Sequence, residues 1–329
     1  EMTENGVPFV FIRADGYQGN GKSRIKNMIQ YYRGLFKVTR RFEKPDVIIG
    51  SSVHPLACVA AVKLAKKYRC KCIVEIRDLW PESIVVYQGI SRRNPVIAAL
   101  YRLEKWLYAK ADRLIFTMPG GAKYIVEHKM DKEHGGPVDL KKVYSINNGI
   151  DREAFEKNRK LYTIADKDLD DPATFKVVYT GSIRLANHLE KLIRAAKIVQ
   201  DSGYADIRFL IYGKGDEKAR LEELCRSESI NNVFFKGAVE KKYIPYILSK
   251  CQIAYSEGKN NPLFEYGSSA NKQFDYYAAG IPLVAGVTYW KDILTEYHCG
   301  FSTDSDDPQA VADLIIRCRT MPKEEYEQL

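Results

Sequence analysis

The chain has 329 residues, of which 45% are hydrophobic, 12% aromatic and 28% charged, with a formal net charge of +9. That length suits two domains of roughly 150 residues, each able to bury its own core. No apolar run reaches the ~18 residues of a membrane span, and the opening EMTENGVPFVFIR lacks the cationic start and long apolar stretch of a signal peptide.

Seven cysteines (58, 70, 72, 225, 251, 299 and 318) lie mostly in apolar segments. Cys70 and Cys72 have no partner pair at zinc-finger spacing, so neither a disulfide framework nor a structural zinc site is expected. A reducing cytosol fits this usage. Charge is uneven: residues 1–151 hold 26 basic against 15 acidic side chains, a balance of +11, whereas residues 152–329 balance at −2. A basic first half suits an anionic partner such as a phospholipid head group or a phosphorylated substrate. No nucleic-acid-binding signature accompanies it, so nucleic acid is not an expected partner.

In chain order, strand-like apolar runs occupy Pro8–Ile12, Asp46–Gly50, Cys72–Ile76, Arg113–Thr117 and Val143–Ile146. After a gap they resume at Lys176–Tyr179, Ile207–Tyr212, Val233–Lys236, Ile253–Tyr255 and Pro282–Ala285. Helical patterns fall between them at Arg24–Phe36, Leu56–Lys67, Pro95–Ala111, Leu189–Asp201, Lys218–Arg226, Tyr243–Ser249 and Asn271–Ala279. Alternation of this kind predicts α/β architecture with parallel sheets and right-handed crossovers. The polar stretch Asp151–Thr174 interrupts it, which sets a domain boundary at 152/153 between two doubly wound domains. Ligands are then expected at the C-terminal ends of the strands.

Residues 16–23, GYQGNGKS, satisfy the P-loop pattern GxxxxGK[ST] between a strand-like run and a helical one. A true P-loop cradles phosphate on backbone N–H groups, with Lys22 and Ser23 serving phosphate and magnesium. It also needs an aspartate at the end of a later strand to hold the metal. Asp78 is the only fair candidate, and the string around it has a better explanation. An ATP- or GTP-dependent phosphotransferase is therefore the alternative reading, and a glycine-rich turn into a helix the preferred one.

Four strings in order carry a family resemblance: EIRDLWPES at 75–83, SINNGID at 145–151, VYTGSI at 178–183 and YGSSANKQFDYYAAGIPLV at 266–284. Together they resemble the GT-B glycosyltransferases of family 4, in the branch of bacterial capsule, O-antigen and exopolysaccharide transferases. The resemblance implies a GT-B fold of two Rossmann-like domains facing a cleft, an acceptor-side domain at 1–152 and a donor-binding domain at 153–329. It also implies a first strand before Gly6 and a final helix after Leu329. The activity implied is retaining transfer of a hexosyl or N-acetylhexosaminyl group from a nucleoside diphosphate sugar, UDP-linked, to a lipid-linked or growing glycan. No cofactor or essential metal is expected, the nucleotide sugar being a substrate. A sugar-nucleotide epimerase of the same fold is a second alternative.

The residues suit these roles. A loop of Gly267, Ser269, Ala270 and Asn271 ahead of a helix offers backbone N–H groups and a positive dipole end to a diphosphate. Lys272 adds a cation where the leaving group gains charge. Asp275, one turn on, can accept both ribose hydroxyls. Gly181 gives the pyrophosphate room against the backbone, and Gly213 opens a GxG loop that ends a strand at the cleft side. By resemblance, FKGAV up to Val239 is the segment whose backbone reads the base, and Arg77, Asp78 and Glu82 line the acceptor side. Asp78 or Glu82 would there orient or deprotonate the acceptor hydroxyl. Two departures stand out. Ser182 and Asn187 occupy positions where many relatives carry phosphate-binding Arg and Lys, with Arg184 nearby as a substitute. Gly267 occupies the first position of the paired glutamates.

In Gln88–Lys110, Arg92 and Arg93 precede an apolar face of Val96, Ile97, Leu100, Leu103 and Leu107. Two readings of it are a core helix and a segment resting on anionic lipid, which would place the enzyme peripherally on the inner face of the cell membrane.

Overall fold

The computed structural model describes residues 2–4, 6–17, 21–52, 54–258 and 261–329. It divides into two compact units, Glu1–Asn147 and Asn148–Leu329.

In the first unit, β1 (Met2–Glu4) and β2 (Val7–Phe9) form an antiparallel pair by themselves. A separate parallel sheet follows in the order β3 (Val47–Ser51), β4 (Lys71–Ile76), β5 (Arg113–Phe116) and β6 (Val143–Ser145). Cys72, Val74, Ile76, Leu114 and Phe116 are buried, as are Ile97, Leu107, Tyr108, Tyr124 and Ile125 of the helices, with Tyr108 edge-on to Phe116. Apolar side chains on a strand are stabilised by such burial on the order of 2 kcal/mol each.

The sequence placed Pro8–Ile12 as a strand of a parallel sheet. It instead pairs antiparallel with Met2–Glu4, and Phe9 and Phe11 are exposed. This matters for the P-loop reading, which requires a buried parallel strand leading into the loop. Gln18–Asn20 lie outside the described residues. Gly21 precedes the helix Lys22–Val38, whose Lys22 is exposed and which buries none of its residues.

The second unit holds a six-stranded, wholly parallel sheet. Its order is β12 (Gly300–Ser302), β11 (Leu283–Ala285), β10 (Ile253–Ser256), β7 (Phe175–Thr180), β8 (Ile207–Tyr212) and β9 (Val233–Gly237). Both faces are covered. Val177, Tyr179, Phe209 and Ile211 pack with Leu192, Ala196, Val311 and Ile315, while Val178, Leu210 and Tyr212 pack with Phe155, Ile247, Leu248 and Tyr276. Alternate residues of one strand thus feed opposite layers, as the two-residue period of a strand demands.

The polar stretch Asp151–Thr174 belongs to this unit. It forms the helices Arg152–Leu161 and Lys167–Asp170, and Phe155 and Leu169 anchor them in the core. Lys236 fastens the second of these by bridging Asp166 at 2.6 Å and Asp168 at 2.5 Å.

Candidate functional site

Because all six strands of the second unit run parallel, their C-terminal ends share one edge. Gly181, Gly213, Glu257 and Gly286 each follow a strand there. The ladder between β7 and β8 continues past the strands, with Gly181 N–H donating to Tyr212 O at 3.0 Å and Ile183 N–H to Lys214 O at 2.9 Å. A Cβ on Gly213 would sit 1.8 Å from Gly181 O. Gly213 therefore lets the two loops touch, a packing role beside the ligand role expected of it.

The helix Asn271–Ala279 lies between β10 and β11. Ala270 at its N-cap has no side chain to accept from the first turn, and that turn carries no acidic residue. Gln273 N–H closes on Ala270 O at 3.0 Å, and the N–H groups of Asn271 and Lys272 ahead of it have no acceptor among the described residues, which suits an external one. Gly267 turns the chain into this loop at φ +85°, a region that a residue with a Cβ enters only with strain. Asn148 N–H donates to Ser269 Oγ at 2.8 Å, and Asn148 Nδ2 donates to Ser269 O at 2.7 Å. Asn271 is exposed at the start of the helix.

One turn further, Tyr276 Oη accepts from Thr180 N–H at 2.9 Å, tying the helix to the end of β7. That places Lys272 over Tyr179, its Nζ 4.6 Å from the ring centre and 3.5 Å from the hydroxyl. Burial pulls the Lys272 ammonium down to about 8, against the opposing pull of Glu257. Asp275 is buried, with Lys241 Nζ 3.8 Å away, and burial raises its carboxyl despite that lysine.

Sequence reasoning missed Glu257. It is 3% exposed and accepts hydrogen bonds from Tyr255 Oη and from Gly258 N–H. Lys191 Nζ lies 3.6 Å from it and donates to Gly286 O at 2.6 Å. Burial lifts the Glu257 carboxyl to about 7. Its signal was available: a carboxylate directly after a strand, at the edge where ligands of such sheets bind.

Other predicted residues sit differently. Arg184 is exposed and lines a different cavity of about 120 Å³ with His188, Glu217 and Arg220. Ser182 and Asn187, the two departures, bond to each other, Asn187 Nδ2 donating to Ser182 Oγ and O at 2.9 Å. Val239 is half-buried against the Phe155 layer.

In the first unit, Arg77 and Asp78 stand exposed at the C-terminal end of β4, and Arg77 N–H donates to Ser52 Oγ at 2.9 Å. Asp78 also borders a small cavity of about 30 Å³ with Ser52, Trp80 and Glu104. Glu82 departs from its predicted role. It is 3% exposed, bonded to Arg92 and Tyr101, with His128 Nε2 at 3.5 Å. Burial alone would raise its carboxyl, but His128, Tyr101 and Arg92 outweigh it and hold it at about 2. A carboxylate so acidic is a poor base near neutral pH, so Glu82 anchors its helix.

The helix Pro95–Lys110 turns Ile97 and Leu107 into the core. Of the five residues of its apolar face Ile97 and Leu107 are buried, Leu100 and Leu103 half-buried, and Val96 largely exposed, which fits the core-helix reading. No helix among the described residues is long and apolar enough to cross a membrane.

Residues 163–329 match the family model of glycosyl transferases group 1, and residues 1–135 match that of a glycosyl transferase 4-like domain. No curated protein matches the chain in sequence. Among solved structures, HepE of Anabaena in complex with UDP-glucose matches with a TM-score of 0.64 at 16% identity, covering 94% of this chain and 76% of that one. The α,α-trehalose-phosphate synthase (UDP-forming) of Burkholderia vietnamiensis matches with a TM-score of 0.68 at 12% identity, covering 94% and 74%. At these identities the likeness is one of fold, two Rossmann-like units of the GT-B class.

Proposed function

The chain belongs to the glycosyl transferases of group 1, and on that premise we propose that it moves a sugar from a nucleoside diphosphate donor, with retention, to a lipid-linked or growing glycan in surface polysaccharide assembly. One observation carries the reading. The uncapped N-terminus of the helix Asn271–Ala279 and the Lys272 ammonium converge at the C-terminal edge of the parallel sheet. Amide donors and one half-buried cation suit the charge that develops on a departing diphosphate.

Asp275 serves the ribose hydroxyls and Asp78 the acceptor hydroxyl. UDP is the favoured nucleotide, because HepE was solved with UDP-glucose and the Burkholderia enzyme is described as UDP-forming. The family 4 surface-polysaccharide branch rests on the four strings in sequence order. The lipid-linked acceptor, and with it a place at the inner face of the membrane, rests on the +11 balance of residues 1–151. Charge on the leaving group is handled by Lys272 and the helix dipole, so no metal is required.

The test is a thermal-shift screen of UDP, GDP and TDP, followed by transfer from the matching sugar nucleotides in EDTA. Stabilisation by UDP and turnover in EDTA are expected. Full dependence on magnesium overturns the metal-free mechanism. Donor interconversion without any acceptor would assign the same fold to an epimerase.

A further inference from the structure

A second charged site lies in the first unit, whereas every residue assigned above to the donor belongs to the second. Arg92, Tyr101, Arg102, Lys105, His128 and Met130 line an open depression of about 340 Å³. Three cations and an imidazole line it, and among the described residues Glu82 is the one acidic group paired with any of them, holding Arg92 and His128. Arg92 spends part of its guanidinium on Glu82, which fixes it at the rim with N–H groups to spare. Arg102 and Lys105, three residues apart on one helix, are exposed and carry no ion pair among the described residues.

His128 is held between Tyr124, with ring centres 4.1 Å apart, and Tyr101, stacked at 6.2 Å. Its Nδ1–H donates to Tyr124 O at 2.9 Å, and its Nε2 faces the Glu82 carboxylate at 3.5 Å, so the ring braces the wall of the depression. The unpaired Arg102 and Lys105, with the spare N–H groups of Arg92, stand around an aromatic and aliphatic base, and fork-shaped and point cations of this kind suit a tetrahedral oxyanion.

We propose that this depression binds a phosphate or diphosphate group. Arg102 and Lys105 supply the free charge, and Arg92, positioned by Glu82, is the third contact. The group arrives either on a lipid head group or on a free phosphorylated ligand. The lipid source rests on the lipid-linked acceptor proposed above; the free source does not.

The variant Arg102→Glu/Lys105→Glu changes exposed side chains only and is expected to fold normally. Binding of inorganic pyrophosphate is measured by calorimetry with the donor site saturated by UDP, and sedimentation is measured with phosphatidylglycerol vesicles and with phosphatidylcholine vesicles. The unchanged chain is expected to bind pyrophosphate and the anionic vesicles, and the double variant to lose about tenfold in affinity. Loss in both arms assigns the site to a lipid head group; loss for pyrophosphate alone assigns it to a free ligand. Lys272→Ala is expected to keep this binding, while the double variant keeps its UDP affinity, which separates the two sites. Pyrophosphate and vesicle binding unchanged in the double variant would overturn the proposal.

Discussion

Asn148 and Ser269 stand 121 residues apart in the chain and are joined twice, by Asn148 N–H to Ser269 Oγ at 2.8 Å and by Asn148 Nδ2 to Ser269 O at 2.7 Å. One residue at the start of the second unit thereby fixes the loop that opens the helix Asn271–Ala279. In Asn148→Ala the side-chain bond is lost and the backbone bond kept. A net ~1 kcal/mol on loop placement corresponds to a rise in donor KM of about fivefold, with kcat little changed. Steady-state kinetics on the donor check this, and an equal fall in kcat with unchanged KM would contradict it.

Lys272→Ala should lower kcat/KM by about 10²–10³-fold, the scale of removing one preorganised charge from a transition state. The pH dependence has a definite sign. Lys272 ionises at about 8 in the free protein, so the cation is present below that value and lost above it. UDP affinity should be level near pH 7 and fall as pH rises past 8. A flat binding profile between pH 7 and 9.5 would count against Lys272.

Glu82→Gln is expected to destabilise the first unit. The carboxyl titrates at about 2 in the folded chain against an ordinary 4.5, a difference worth about 3 kcal/mol. A depressed carboxylate stabilises fully above its unfolded value and loses that contribution as pH falls from 4.5 toward 2. Urea denaturation at pH 7 and at pH 3 should show the gap between Glu82→Gln and the unchanged chain narrowing at the lower pH.

Gly286→Ala would place a methyl 1.8 Å from Glu257 Oε2 and 2.6 Å from Tyr255 Oη. Displacing a carboxylate held by Tyr255, Gly258 and Lys191 should cost about 1–3 kcal/mol. A melting temperature within a degree of the unchanged chain would show that the cluster yields freely.

Lys22→Ala tests the phosphotransferase reading. Lys22 is exposed on a helix that buries none of its residues, and its loss should alter transfer less than about twofold. Magnesium-dependent ATP turnover abolished by this change would reinstate the P-loop.

Much of the fold was legible in sequence. Continuous apolar runs such as Ile207–Tyr212 mark strands buried on both faces, and the helices Leu189–Asp201 and Asn271–Ala279 have the bounds read from their patterns. What escaped was decided by partners rather than by local pattern. Val7–Phe9 is apolar enough for a core strand, yet Met2–Glu4 claims its edge. Gly300–Ser302 is too short to stand out and exists because Leu283–Ala285 pairs with it. The polar Asp151–Thr174 hides two anchors, Phe155 and Leu169, that reach a distant core.

The site was legible where a glycine-rich loop precedes a helix, since that geometry is local. Glu82 was misread because its three partners, Arg92, Tyr101 and His128, lie up to 46 residues further along the chain. Glu257 was missed because a single carboxylate carries no motif.

The hydrogen bonds that carry the β7–β8 pairing onward into Gly181–Ile183 and Tyr212–Lys214 weld the two loops into one slab. They cannot flap independently, so the diphosphate proposed to bind there would meet a floor already in its final shape. Little ordering entropy is then left to be lost on that side when ligand arrives, and mutations that loosen the slab should weaken binding chiefly through entropy.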